Sequence, residues 1–425
     1  MFQTSTPALS DLEKRALNAI DEPGLLDFIG QLVAVPSLHG EETPAQELMA
    51  RQMASLGLET DVWEIDFDSL RRHPSYSAEV ERVSGLGVAG WMGQGNLPTL
   101  VLNGHVDVVP TGEPTNWHYP PWQATLAGGN IYGRGALDMK GPLCCGLYAA
   151  KAIRDAGIQV KGKLLIQSVI GEEDGGCGTL ATVLRGHTGD AAIVLEPTEL
   201  MVAPAHAGAL NFRVTVPGRA AHGAVRQEGV SAIEKFIPIY LAIIDLEKRR
   251  NDSLKDPRFS AYDLPYPICV GTIQGGNWAS TVAESLTFEG RYGVAVGEDL
   301  TEARAQLETA VAEAASKDEW LRAHPPRLDW WGGQFEPAGI DVDHGLVQLV
   351  SKAHEDCNGN APPVQGMTYG ADMRLLVNEG NTPTILFGPG DVRKAHQPDE
   401  FVPVEELLAV VRTIVVSSIR FCGSI

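Results

Sequence analysis

The chain has 425 residues, a formal net charge of −21 at pH 7 and a hydrophobic fraction of 44%. That length exceeds one ordinary domain, so two domains are expected. The excess of carboxylates repels phosphate backbones and argues against a nucleic-acid partner, and no apolar run reaches the length of a membrane span.

The N-terminus, MFQTSTPALSDLEKR, lacks a basic patch followed by an apolar core, so no secretory signal is expected. Six cysteines without a CxxC pair, two of them the adjacent Cys144 and Cys145, suit a reduced compartment better than a disulfide framework. A cytoplasmic protein is the expectation.

In chain order, residues 11–34 and 43–56 carry apolar positions at helical spacing, Leu48, Met53 and Leu56 among them. An irregular polar stretch from about 65 to 95 closes on the glycine-rich GLGVAGWMGQGN. Short apolar runs then follow at 99–102, 163–170, 190–195 and 382–387, separated by helical patterns. One such helix starts near Lys140 and repeats Leu143, Leu147 and Ala150 on one face. Continuous apolar strands between helices predict a mostly parallel α/β sheet covered on both faces. From 207 to 328 the texture changes to strand–helix–strand–strand–helix, with apolar–polar alternation in ALNFRVTVPG. That order predicts a smaller α+β domain with an antiparallel sheet, inserted between residues 1–206 and 329–425.

Open α/β sheets bind ligands at the C-terminal ends of their strands. LVLNGHVD ends in His105 and Asp107, KLLIQSVIGEED in Glu172 and Glu173, and DAAIVLEPT in Glu196, while His396 follows TPTILF. Asp138 sits just before a helix start, where exposed N–H groups favour a carboxylate. Taken singly, each of these is an ordinary structural residue. Five independent ends offering imidazole or carboxylate predict a site for two borderline cations, with zinc, cobalt or manganese suited to this donor mixture. Period-two alternation puts Asp107 on the face of His105, where its carboxylate is expected to take the second imidazole N–H.

GHVDVVP, GRGALDMKG, GEEDGG, LEPT and FGPGDVRKAHQPDE, in this order, resemble the metal-site motifs of the dinuclear zinc amidohydrolases. That family includes acetylornithine deacetylase, succinyl-diaminopimelate desuccinylase, aminoacylase and glutamate carboxypeptidase. The resemblance implies that His105 and Glu196 hold one metal, Glu173 and His396 the second, and that Asp138 bridges both. It implies Glu172 as general base to a metal-activated water and Asp107 as the orienting aspartate. VPGRAAHGA resembles the family's lid-domain motif, which makes 207–328 a lid and dimerisation domain and gives His222 an oxyanion-stabilising role in a homodimer. Asn277, Arg291, Asp372 and Arg374 become candidate polar contacts to a small substrate, Arg291 because its planar fork suits a carboxylate.

The implied reaction is hydrolysis of an amide bond, in an N-acyl amino acid or at a peptide C-terminus, the lean coming from glutamate rather than aspartate at 196. A dipeptidase, an aminopeptidase or a catabolic amidase or deaminase on the same scaffold is the alternative.

Overall fold

A computed structural model describes residues 9–95 and 97–424. The chain forms two compact units, one of residues 1–205, 339–365 and 371–425, the other of 206–338 and 366–370.

The first unit is built on a six-stranded sheet. Its spatial order is Glu59–Glu64, Leu86–Gly93, Lys163–Val169, Thr99–His105, Ala191–Val194 and Thr384–Leu386. The last four strands run parallel, and Leu86–Gly93 pairs antiparallel with both of its neighbours. Leu100, Val101, Leu102, Leu164, Leu165 and Ile166 are fully buried, as strands covered on both faces must be. Helices Lys140–Asp155, Gly345–Asn358 and Val404–Cys422 supply much of the cover. The parallel strands reach the site because their pairing holds His105 beside Val169, with Val194 beside Asn103.

Two readings of this unit need correction. Residues 11–34 form two helices, Asp11–Leu17 and Glu22–Val33, because Asp21 caps the second through Gly24 N and Pro23 sits in its first turn. The glycine-rich stretch expected to be irregular contains the strand Leu86–Gly93. Its glycines make room for neighbours: a Cβ at Gly87 would lie 2.2 Å from the Trp63 ring, and one at Gly90 would lie 2.7 Å from Met53 Sδ.

The second unit is an antiparallel sheet in the order Ile268–Gly275, Ser285–Val294, Gly208–Pro217, Arg327–Phe335, with helices Ala232–Ser253 and Leu300–Ser316. Leu210, Phe212, Val214 and Val216 alternate inward and share a core with Ile239, Ile243, Leu307 and Val311. The strand Arg327–Phe335 crosses the boundary expected at 328, and the unit runs on to Ala338. A register shift between Trp330 and Gln334 breaks its alternation, which hides it from a period-two reading.

Candidate metal centre

His105 is the last residue of its strand and is 1% exposed. Its Nδ1 lies 2.9 Å from the Asp107 carbonyl oxygen, which can only accept, so Nδ1 carries a proton and Nε2 is the nitrogen left to face Asp138. The expected partner was the Asp107 carboxylate, whose Oδ1 is 3.6 Å from Nδ1. That carboxylate is engaged elsewhere: Oδ1 accepts from the Glu172 amide at 3.2 Å and Oδ2 from the Glu173 amide at 3.0 Å. Asp107 therefore orients the imidazole through its backbone and the two glutamates through its side chain.

His105 Nε2 lies 3.2 Å from Asp138 Oδ1, and His396 Nε2 lies 3.4 Å from Asp138 Oδ2, so Asp138 stands between the two imidazoles. His396 Nε2 is also 3.0 Å from Glu173 Oε1. Ligand atoms of His105, Asp138 and Glu173 lie within 4.8 Å of one another, as do those of His105, Glu172 and Glu196. All six expected donor and base residues thus converge within the first unit. His396 is presented by a backbone with φ +60°, a left-handed conformation unusual for a non-glycine residue and common at functional sites.

The charge balance shows what would fit there. Burial, then the neighbouring Glu196 carboxylate, pushes the Glu172 carboxyl well above its usual range. Burial and Asp138 do the same to Glu196. Burial works against protonation of both histidines, yet the surrounding carboxylates carry His105 well upward and His396 up to about 11. Among the described residues Glu196 Oε1 is buried with no hydrogen-bond partner. Crowded carboxylates and an orphaned, inward oxygen fit a site built for divalent cations.

Other residues, not picked out from the sequence, hold the donors in place. Glu400 is buried, and its Oε1 accepts from the amides of Gly135, Leu137 and Asp138 at 2.8, 3.2 and 3.2 Å. Its other oxygen pairs with the buried Arg134, and burial nonetheless pushes the Glu400 carboxyl up to about 7. Asp399 accepts from the amides of His118 and Tyr119 and lies 2.7 Å from His118 Nδ1, tying the 114–122 segment to the loop of His396. Glu400 lies within AHQPDE, four residues past His396, but its partners are more than 260 residues away in sequence.

Asp372 and Arg374, expected at the substrate, are 0% and 1% exposed. Asp372 Oδ2 accepts from Thr179 Oγ1 at 2.6 Å, and Arg374 donates to the Gly175 carbonyl at 2.8 Å. Gly175 lies in the loop that carries Glu172 and Glu173, and Thr179 on the helix Cys177–Leu184 that follows it, so these contacts brace that loop. His222, Asn277 and Arg291 belong to the second unit. His222 is exposed and its Nδ1 accepts from Ala224 N at 3.1 Å; Asn277 is exposed, and Arg291 donates to the Thr368 carbonyl at 3.1 Å.

Residues 101–417 match the peptidase family M20/M25/M40. An N-formyl-4-amino-5-aminomethyl-2-methylpyrimidine deformylase from Halalkalibacterium halodurans is 29% identical over 419 residues, 94% of each chain. Acetylornithine deacetylase from Myxococcus xanthus is 30% identical over 357 residues, 81% of this chain and 86% of that protein. In fold, the dipeptidase Dug1p from Saccharomyces cerevisiae superposes with a TM-score of 0.77 at 13% identity, over 96% of this chain and 98% of that one. The chain belongs to the peptidase M20/M25/M40 family and is a metal-dependent hydrolase of amide bonds.

Proposed function

We propose that this member of the peptidase M20/M25/M40 family is an N-deacylase, removing a small acyl group from the amine of an amino acid or a similar small molecule. The observation that carries the reading is the convergence of two imidazoles and four carboxylates in one cluster, with His105, Glu172 and Glu196 buried and His396 at its exposed edge. The two sequence relatives described above, named for removing a formyl and an acetyl group, support the choice of bond.

His105, Asp138 and Glu196 would hold one divalent cation and Asp138, Glu173 and His396 the other, zinc first, with cobalt or manganese also accepted. Such cations polarise a scissile carbonyl and bring the pKa of water down to about 7. Glu172 takes the water's proton and delivers it to the leaving amine, a task suited to a carboxyl whose surroundings raise its proton affinity. His222 accepts at Nδ1, so its Nε2 is an N–H donor available for a developing oxyanion, and Asn277 and Arg291 offer polar contacts to substrate.

The second unit supports a homodimer. Ile233, Ile237, Tyr240, Leu241 and Ile244 form one exposed apolar face of the helix Ala232–Ser253, and the sheet of the same unit ends in the edge strand Ile268–Gly275. All six cysteines are free, which supports a reducing, cytoplasmic setting. Among the described residues no helix is long and apolar enough to cross a membrane.

The test is turnover by metal-stripped protein reloaded separately with zinc, cobalt and manganese. The substrates are N-formyl, N-acetyl and N-succinyl amino acids, unblocked dipeptides and C-terminal glutamate conjugates. Metal-restored cleavage confined to the N-acyl compounds is expected. Cleavage of unblocked dipeptides alone would move the chain to the peptidase side.

A further inference from the structure

Residues 71–85 contain no helix or strand, and nothing in the catalytic chemistry above uses them. They nonetheless lie against the loop 171–176 that carries Glu172 and Glu173. The Val80 amide donates to Asp174 Oδ2 at 3.1 Å, and the Ser77 carbonyl oxygen would stand 2.2 Å from a Cβ at Gly175. Ser75 O accepts from Arg374, the same side chain that holds the Gly175 carbonyl.

At the end of this strap is Arg82, 2% exposed. Its Nε and Nη2 edge donates to Glu42 Oε1 at 3.0 and 2.6 Å, while Nη1 donates to both oxygens of Asp174 at 2.9 and 2.8 Å. Asp174 directly follows the glutamate pair, and Glu42 precedes the helix Thr43–Ser55. The guanidinium also lies against Gly171: a Cβ there, at φ +65°, would come 3.0 Å from Arg82 Cζ. A buried cation clamped between two carboxylates is a costly arrangement that hydrophobic packing could replace, so stability alone gives weak reason for it. What it provides, together with the Val80 amide, is a three-point anchor on the residue next to Glu173.

We infer that Arg82 is a positioning residue for the catalytic glutamates, with the 71–85 strap as its carrier. From one side the Asp107 carboxylate fixes the amides of Glu172 and Glu173; from the other Arg82 fixes Asp174, so the pair is held at both ends. Two carboxylates bound on separate edges require the planar fork of arginine, which a lysine ammonium lacks. The inference rests on the roles given above to Glu172 and Glu173.

The test uses Arg82→Lys, Arg82→Met and Asp174→Asn in the cobalt-loaded protein, read by circular dichroism, cobalt content, the visible cobalt absorption band, kcat and KM. Folded variants that still bind cobalt should show an altered cobalt band and a kcat lower by roughly 10–100-fold, with KM little changed. Arg82→Lys should retain more activity than Arg82→Met. A wild-type cobalt band and wild-type kcat in folded Arg82→Lys would overturn the inference. Should both Arg82 variants fail to fold, Asp174→Asn, which leaves the Arg82–Glu42 contact in place, decides by the same readings. The cobalt band needs no substrate. An altered band in a protein that cleaves none of the N-acyl compounds would reject the proposed function and keep the positioning role.

Discussion

Glu172 and Glu173 are neighbours in sequence and identical in chemistry, and only their surroundings divide them. Glu172 is buried among carboxylates that raise its proton affinity, while Glu173 faces the His396 imidazole. Glu172→Gln should therefore lower kcat by roughly 10²–10⁴-fold with metal content unchanged, measured by turnover and elemental analysis. Loss of metal in that variant would reverse the two assignments. His222→Ala should lower kcat by roughly 10²–10³-fold with a smaller change in KM, and an unchanged kcat would remove His222 from the chemistry. At this scale the candidate donors, which the structure brings together, were legible, because a strand end is visible as an apolar run followed by a polar residue. Their supports were not. Arg82 meets Asp174 across 92 residues and Glu400 meets Asp138 across 262, and no local pattern records such pairings.

Elements were legible where one period held. The strand Thr99–His105 and the helix Lys140–Asp155 each keep a single pattern from end to end. The strand Leu86–Gly93 did not, since its glycines answer to Trp63 and Met53 on other elements. Contacts between distant helices were equally hidden. Arg420, near the end of Val404–Cys422, donates to Glu13 on the helix Asp11–Leu17 and to Asp356 on Gly345–Asn358. Burial pushes both carboxyls up, but the hydrogen bonds to Arg420 and to other neighbours outweigh it and hold them below their ordinary 4.5 and 3.8. With native values lowered, the unfolded chain takes up protons first as pH falls. The stabilisation is thus complete above about pH 5 and is lost progressively in more acid solution. Arg420→Ala should cost about 1–3 kcal/mol near neutrality, and its melting temperature should approach that of the wild type as the pH drops through 4.5 and below. A difference that stays constant with pH would show that packing, and not these ion pairs, carries the effect.

For the whole molecule, the two-unit organisation was readable from the change of texture near residue 207, and its far limit was blurred by the irregular strand Arg327–Phe335. The apolar helix face predicts an assembly. Ile237→Glu with Leu241→Glu should convert a dimer to a monomer in light scattering after size exclusion, and a wild type that is already monomeric would remove that interface. Chelation should lower the melting temperature, because ligand at about 100 times its dissociation constant adds about 2.7 kcal/mol per site to the folded state. Equal melting curves with and without metal would contradict a centre made from crowded carboxylates. The order in which the donors occur along the chain has a consequence for synthesis. His105, Asp138, Glu173 and Glu196 all precede the inserted unit, whereas His396 and its neighbour Glu400 follow it. A ribosome therefore releases the last of the proposed metal donors only after the entire second unit has emerged. Under the proposed assignment, a nascent or prematurely terminated chain would display four of the donors without the fifth, so hydrolytic competence would be withheld from incomplete copies by the gene's own reading order.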